Sequence, residues 1–387
     1  MRVALNLEQL LQPAPGGIGR YTAELARLLP ALPSGDDDAI ELVPFVARHR
    51  REEIEARFHE FDLDGVDPVV LRLPRPVLYD AWHVFRRPRL VRPRRLHTVD
   101  VVHTPSVAVP PKSNASLVVT AHDAAPILFP ATYPRRGRRF HAQGLAAAAK
   151  RADLVITVSN AAADELVTHT AIPRQRIRVV PNGVDLEIAG DDAVDAVRRE
   201  YELGETPYVF WVGSLEPRKN VGVLVDAFAR WASHTDLPHL LVLAGPGGWI
   251  EDEASVLAPA RRLGGRVRTI GRVGDPALGA LYRGADLFAF PSRHEGFGIP
   301  VLEAMAQETP VLAADIPALR EVAAGAAVMR SPDDPEAWVA ALDNLLHDGA
   351  ELSRLIEAGR ARAQGYSWTR CAEETRAVYR EAVSSRL

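Results

Sequence analysis

The sequence predicts an α/β protein of two domains, each built on a parallel sheet, and three observations carry that prediction. The 387 residues are too many for one ordinary core, and 47% hydrophobic content is enough for two domains of about 180 to 200 residues. Strand-like apolar runs alternate with stretches of helical spacing, and the alternation restarts at 208–212 after an acidic segment at 186–205. The densest stretch is 286–315. There Leu287 to Phe290 is a strand-length run stopped by Pro291, Ser292 to Ile299 is a loop with two glycines, Val301 to Gln307 is a short helix opened by Pro300, and Val311 to Ala314 is the next buried run. Strand, loop, helix, strand is the repeating unit of a parallel sheet. The expected division is 1–188 and 189–367, followed by a last helix in 368–387.

Taken in order, Arg2 to Leu7 reads as a strand and Ile18 to Leu32 as a helix, with Tyr21, Leu25, Leu28 and Leu29 at helical spacing. Gly17-Ile18-Gly19 begins a dinucleotide fingerprint, but Thr22 stands at its third glycine and the strand Ile40 to Val46 runs on to Arg48 rather than an acid. Residues 50–98 are polar, proline-punctuated and poorly patterned. Within them Asp62-Leu63-Asp64 spells a D-x-D metal motif, yet no apolar strand precedes it to set the acids at a sheet edge, so no metal is expected.

Strand-like runs resume at Val99 to His103 and Leu117 to Ala121. The second ends in His122-Asp123, at the carboxyl end where open parallel sheets bind ligands. A helix from Arg135 to Lys150, a strand from Leu154 to Val158, a helix capped by Ser159 and a strand from Ile177 to Val180 follow, closed by the Asn182-Gly183 turn. In the second half the strand Tyr208 to Val212 runs into Arg218 and Lys219 before a helix from Val221 to His234, which places two cations where a diphosphate would sit. Lys219 is one of three lysines against 43 arginines, the choice of a point charge over a fork. Leu240 to Ala244 and Val267 to Val273 are further strands, and Ser367 caps a helix from Trp368 to Ser384.

Net charge is −4, but residues 1–190 hold 25 Lys and Arg against 21 Asp and Glu, and the remainder 21 against 29. The positive excess is concentrated in Arg86, Arg87, Arg89, Arg92, Arg94 and Arg95, and in Arg135, Arg136, Arg138 and Arg139. Such runs are either a solvated face or a seat for an anionic partner such as a membrane surface; overall acidity and the lack of interleaved aromatics exclude nucleic acid. A single cysteine, Cys371, excludes an internal disulfide and fits a reducing compartment. Neither a signal peptide nor an apolar span is evident, so a cytoplasmic protein, at most peripheral to the inner face of the plasma membrane, is expected.

Glu295 and Glu303 flank the backbone N–H groups of Gly298 and Ile299. A helix N-terminus binds phosphate, and a phosphate with a carboxylate on each side describes a nucleotide sugar. On spacing alone a second reading stays open, in which Glu303 only complements the helix N-terminus and Glu295 is solvated.

The segment Glu295-Gly296-Phe297-Gly298-Ile299-Pro300-Val301-Leu302-Glu303 resembles the E-x7-E motif of the retaining glycosyltransferases of family 4, which have the GT-B fold. Pro181-Asn182-Gly183-Val184-Asp185, the Arg218-Lys219 pair and Leu319-Arg320-Glu321-Val322 are similar to segments of the same family, so the resemblance spans most of the chain and leaves out 50–98. It implies two doubly wound, Rossmann-like sheets facing each other across a cleft, with the last helix returning to the first domain. Donor would bind the second domain and acceptor the first. By the same resemblance His122, Arg218, Lys219 and Glu295 are catalytic. Gly16, Gly17, Arg272, Gly296, Phe297, Gly298, Ile299 and Glu303 hold the donor. Where many members carry an arginine this chain has Ser214, so phosphate charge is expected to rest on Arg218 and Lys219. The implied reaction moves a hexosyl group, mannosyl from GDP-mannose rather than a UDP-sugar, to a saccharide or lipid-linked acceptor in cell-surface glycan synthesis, without metal or other cofactor. A sugar-nucleotide epimerase of the same fold and a non-catalytic sugar-nucleotide binding subunit are the alternatives.

Overall fold

The structure, a computed structural model, describes residues 1–33, 39–90, 94–247 and 258–386. It divides into two compact units: Met1–Gly183 joined by the chain from Ser367 onward, and Val184–Tyr366. The first crossing lies five residues before the expected boundary, because Gly183 is wedged against the start of the last helix, where a Cβ would come within 2.2 Å of Trp368 N. The second falls between Tyr366 and Ser367.

The first unit holds strands β1 (Arg2–Asn6), β2 (Glu41–Val46), β3 (Val69–Val70), β4 (Val101–Thr104), β5 (Ser116–Thr120), β6 (Leu154–Thr157) and β7 (Ile177–Val179), all parallel, in the order β3-β2-β1-β4-β5-β6-β7. The second holds β8 (Tyr208–Val212), β9 (Leu240–Ala244), β10 (Val267–Gly271), β11 (Leu287–Phe290), β12 (Val311–Ala314) and β13 (Val328–Arg330), parallel, in the order β10-β9-β8-β11-β12-β13. Central strands such as Val209–Trp211 and Leu287–Phe290 are buried throughout, as a parallel sheet covered by helices on both faces requires. In each sheet the strand order reverses once, between β1 and β4 and between β8 and β11.

The helix of the first glycine pair runs Gly16–Leu28, starting two residues earlier and ending four earlier than its apolar spacing indicates. Residues 50–98, unreadable as sequence, contain the helices Arg51–His59 and Arg75–Asp80, which are anchored by only a few buried side chains: Ile54, Phe58, Leu78 and Trp82. Asp62 and Asp64 sit on a turn there, Asp62 with left-handed backbone (φ 54°) and Asp64 accepting from His59 Nδ1 at 3.0 Å. Among the described residues no three His, Cys, Asp or Glu are grouped to hold a metal.

The final helix, Trp368–Ser384, is capped by Ser367 Oγ, which accepts from Arg370 N at 3.1 Å, and packs on the first unit. Its inner face buries Cys371, Val378, Tyr379 and Ala382; Ser116 Oγ donates to Ala382 O at 2.9 Å, and Arg178 Nε to Glu381 at 2.8 Å.

Candidate functional site

Open parallel sheets bind ligands outside the carboxyl ends of their strands, where the strand order reverses. In the second unit that place lies between β8 and β11, and the loops leaving these strands carry Arg218, Lys219 and Glu295. After β8, Pro217–Lys219 make one tight turn, and Asn220 takes left-handed backbone (φ 54°) before the helix Val221–Ala232. Four hydrogen bonds lace this turn to its neighbours. Arg293 N donates to Arg218 O at 2.9 Å, Arg218 Nη1 to His294 O at 2.7 Å, and the buried Asn220 Nδ2 to Pro291 O at 3.1 Å and Pro332 O at 2.8 Å.

These bonds fix a compact charged cluster. Lys219 Nζ donates to Glu295 Oε1 at 2.7 Å and lies 5.1 Å from the Phe290 ring centroid; Arg218 Nη1 is 3.3 Å from Glu295 Oε2, and Nη2 donates to Glu216 at 2.7 Å. All four charged side chains are at most 14% exposed. Burial alone would raise the Glu295 carboxyl, but Lys219 and then Arg218 outweigh it and hold it down at about 2. The cluster contains two acids and two bases, so it is not the bare pair of cations expected from sequence. Arg218 is occupied by Glu216, Glu295 and the His294 carbonyl, whereas Lys219 has three ammonium protons and gives one to Glu295.

Gly296, Phe297, Gly298 and Ile299 continue from the same loop. Gly298 has φ 111°, a backbone conformation that favours glycine, and a Cβ there would also push on the Leu319 Cδ2 methyl at 2.4 Å. Phe297 is buried edge-on against Tyr366, centroids 5.7 Å apart. The left-handed glycine starts the helix at Ile299, giving Ile299–Ala306, two residues before the expected start. Glu303 is therefore in the second turn, where its carboxylate accepts from the buried Tyr282 hydroxyl at 2.9 Å. Arg272 follows β10 in the same unit, with an exposed side chain, directly after Gly271, whose carbonyl accepts from Gly245 N at 2.7 Å.

The remaining candidates lie in the first unit. Gly16 (φ 58°) and Gly17 open the helix Gly16–Leu28. His122 follows β5; its Nε2–H donates to Pro105 O at 3.0 Å, and its ring meets Tyr21 edge-on at 5.1 Å. Burial lowers its pKa, so the ring is neutral with Nδ1 left as an acceptor. Behind it a buried chain runs from the Tyr21 hydroxyl to Thr120 Oγ1 (3.1 Å), to His103 Nε2 (2.8 Å), and from His103 Nδ1 to the Tyr379 hydroxyl (2.6 Å). Burial pushes His103 down to about 3. Sequence reasoning missed this chain, as it missed Glu216, Asn220 and Tyr282: its members are spread from position 21 to 379, and His103 reads as part of an apolar strand.

Comparison with known proteins bears on both units. The Glycosyltransferase Family 4 profile matches residues 15–188 and the Glycosyl transferases group 1 profile residues 194–362. O-antigen chain mannosyltransferase B of Escherichia coli is 27% identical over 389 residues, covering 98% of this chain and 100% of that protein. D-inositol 3-phosphate glycosyltransferase of Salinispora tropica is 35% identical over 60% of this chain, a match spanning 52% of its own length. Among solved structures, Anabaena HepE in complex with UDP and glucose superposes with a TM-score of 0.75 at 18% identity, covering all of both chains. Two Rossmann-like parallel sheets, each matched by a glycosyltransferase profile, define a GT-B glycosyltransferase. The chain belongs to glycosyltransferase family 4.

Proposed function

We propose that this enzyme transfers a hexosyl group, mannosyl from GDP-mannose in preference to a UDP-sugar, to a saccharide or lipid-linked acceptor, with retention of configuration and without metal or other cofactor. The observation that carries the proposal is the Lys219–Glu295–Arg218 cluster at the carboxyl ends of β8 and β11. The choice of mannose is supported by the full-length likeness to a mannosyltransferase of O-antigen chains. As the glycosidic bond breaks, negative charge grows on the leaving diphosphate. Lys219 and the N–H groups of Gly298 and Ile299 are the donors that stabilise it, and one preorganised donor of this kind contributes about 3 to 4 kcal/mol. Glu295, ionised at any physiological pH, accepts from a hydroxyl of the reacting sugar while holding Lys219 in place. Glu303, oriented by Tyr282, accepts from the ribose. In this reading the acceptor oxygen attacks from the face the diphosphate leaves, and the departing phosphate oxygen takes its proton, without a covalent glycosyl-enzyme of the kind retaining glycosidases form. His122, through Nδ1, accepts from a sugar hydroxyl. No helix of the described residues is long and apolar enough to cross a membrane. As part of the same proposal, the enzyme works in the cytoplasm, peripheral at the inner face of the plasma membrane.

Thermal shift against GDP, UDP, GDP-mannose and UDP-glucose tests the donor, since a ligand at 100 times its Kd adds about 2.7 kcal/mol. Stabilisation by GDP-mannose and an axial product linkage unaffected by EDTA are expected. A protein stabilised by none of the four, or one that converts donor to a new sugar without acceptor, would overturn the proposal, the latter in favour of an epimerase.

A further inference from the structure

A cavity of about 370 Å³ in the first unit is lined by Arg86, Arg89, Pro111, Lys112, Lys150 and Arg151. Five of the six are cations, they include two of the three lysines in the chain, and among the described residues no carboxylate lines the cavity with them. They come from three separate segments: the turn after the helix Arg75–Asp80, the loop between β4 and β5, and the end of the helix Arg135–Arg151. Arg151 ties these together, donating to Trp82 O at 2.9 Å, Val109 O at 3.3 Å and His83 O at 3.4 Å, while Val109 N donates to His83 Nε2 at 3.2 Å. Phe140 stacks on Tyr79, centroids 5.5 Å apart, and fixes one helix on the other. Arg151 and the backbone it holds form a fixed floor, and Arg86, Arg89, Lys112 and Lys150 stand exposed around it. Burial first, and then the charge of Arg86, press the Arg151 pKa downward; the repulsion between the two cations is what a bound anion offsets.

Of the arginine clusters visible in the sequence, only Arg86 and Arg89 line this cavity. Arg95 is held by Asp67 at 2.9 Å and Arg136 lies 3.9 Å from Asp80, while Arg92 is outside the described residues. Next to Arg86, however, the chain exposes Val84 and Phe85, the latter 74% exposed, and Val77 on the preceding helix is exposed as well. Apolar side chains projecting beside a basic surface are what an anionic bilayer interface receives. A free phosphate would make use of the cations and leave Phe85 without purpose; a lipid headgroup makes use of both.

We propose that this cavity seats the phosphate headgroup of an anionic membrane lipid, with Val84 and Phe85 entering the acyl boundary beside it. The test is co-sedimentation of the full chain at low salt with vesicles of phosphatidylcholine alone and of phosphatidylcholine mixed with phosphatidylglycerol. Binding is expected only to the mixed vesicles and falls with added salt. The double variant Lys112→Gln/Lys150→Gln, both positions exposed, is expected to lose about thirtyfold in partitioning, from about 1 kcal/mol per basic residue. Phe85→Ser is expected to weaken binding to the mixed vesicles while leaving any stabilisation by inorganic diphosphate unchanged. Equal binding to both vesicles, or an unaltered double variant, overturns the proposal. So does stabilisation by inorganic diphosphate that the double variant loses when no vesicle binds, since the occupant is then a free anion. Turnover of donor with a soluble acceptor is expected to be unchanged in these variants, so failure here does not touch the donor site.

Discussion

Removing the Lys219 ammonium leaves Glu295 facing Arg218 alone, and Arg218 is already engaged by Glu216 and the His294 carbonyl. Lys219→Ala is therefore expected to lower kcat by about two orders of magnitude, one charged stabiliser of the leaving group, with the fold retained. Wild-type turnover in the purified variant would remove Lys219 from the chemistry. The two acids of the motif separate by parameter. Glu303→Gln should weaken binding of free nucleotide diphosphate, and Tyr282→Phe should do so more mildly, because it only loosens the same carboxylate. Glu295→Gln should instead depress transfer. Calorimetric titration that finds unchanged nucleotide affinity in Glu303→Gln would refute the ribose contact.

The strand ends need close backbone approach as much as charge. Gly245, at the end of β9, has φ 136°, and a Cβ there would lie 1.9 Å from Gly213 O at the end of β8. Neither backbone can yield without shifting the turn that carries Arg218 and Lys219. Gly245→Ala is thus expected to cost about 2 to 4 kcal/mol in chemical denaturation, combining strained backbone with a clash, and to reduce activity beyond that loss. A variant as stable and active as wild type would show the two strand ends to be adaptable. Elements of this kind were readable where one local rule decides them. The apolar run Leu287–Phe290 and the Ser367-capped helix Trp368–Ser384 match their sequence limits to the residue. The helix bearing Glu303 was misplaced because a left-handed glycine, not Pro300, sets its start. Residues 51–85 hid their helices because so few of their side chains reach the core.

Across the molecule, what pattern could not reveal was which distant residues meet. The E-x7-E and Arg-Lys segments were evident as motifs, but not that Lys219 and Glu295 neutralise each other, nor that His103, Thr120 and Tyr21 join the last helix to the first sheet. That difference also sets how acid acts. His103, at about 3, and His83, at about 4, are held neutral in the first unit. A histidine whose folded pKa is depressed contributes stability above its unfolded value, near 6.5, that is lost as pH falls toward the folded value. Glu295, in the second unit, follows the same sign from 4.5 down to about 2. Amide hydrogen exchange between pH 6.5 and 4.5 should therefore show the first unit losing protection before the second. Loss in the opposite order would contradict the assignment of the histidines as its acid trigger.

The only thiol of the chain, Cys371, faces inward from the last helix, with burial pushing its pKa up to about 12. Both burial and protonation make it unreactive, so an alkylating probe can reach it only when that helix lifts from the first sheet. The protein thus carries a built-in chemical clock that times the opening of one half and is blind to the other. In native buffer at neutral pH, alkylation followed by mass spectrometry should proceed orders of magnitude more slowly than for a free thiol. Tyr379→Phe, which takes the partner from the buried His103 Nδ1 at a cost of about 1 to 3 kcal/mol, should speed it by roughly 5- to 150-fold. Labelling at the rate of an exposed cysteine would mean that the last helix is not held as described.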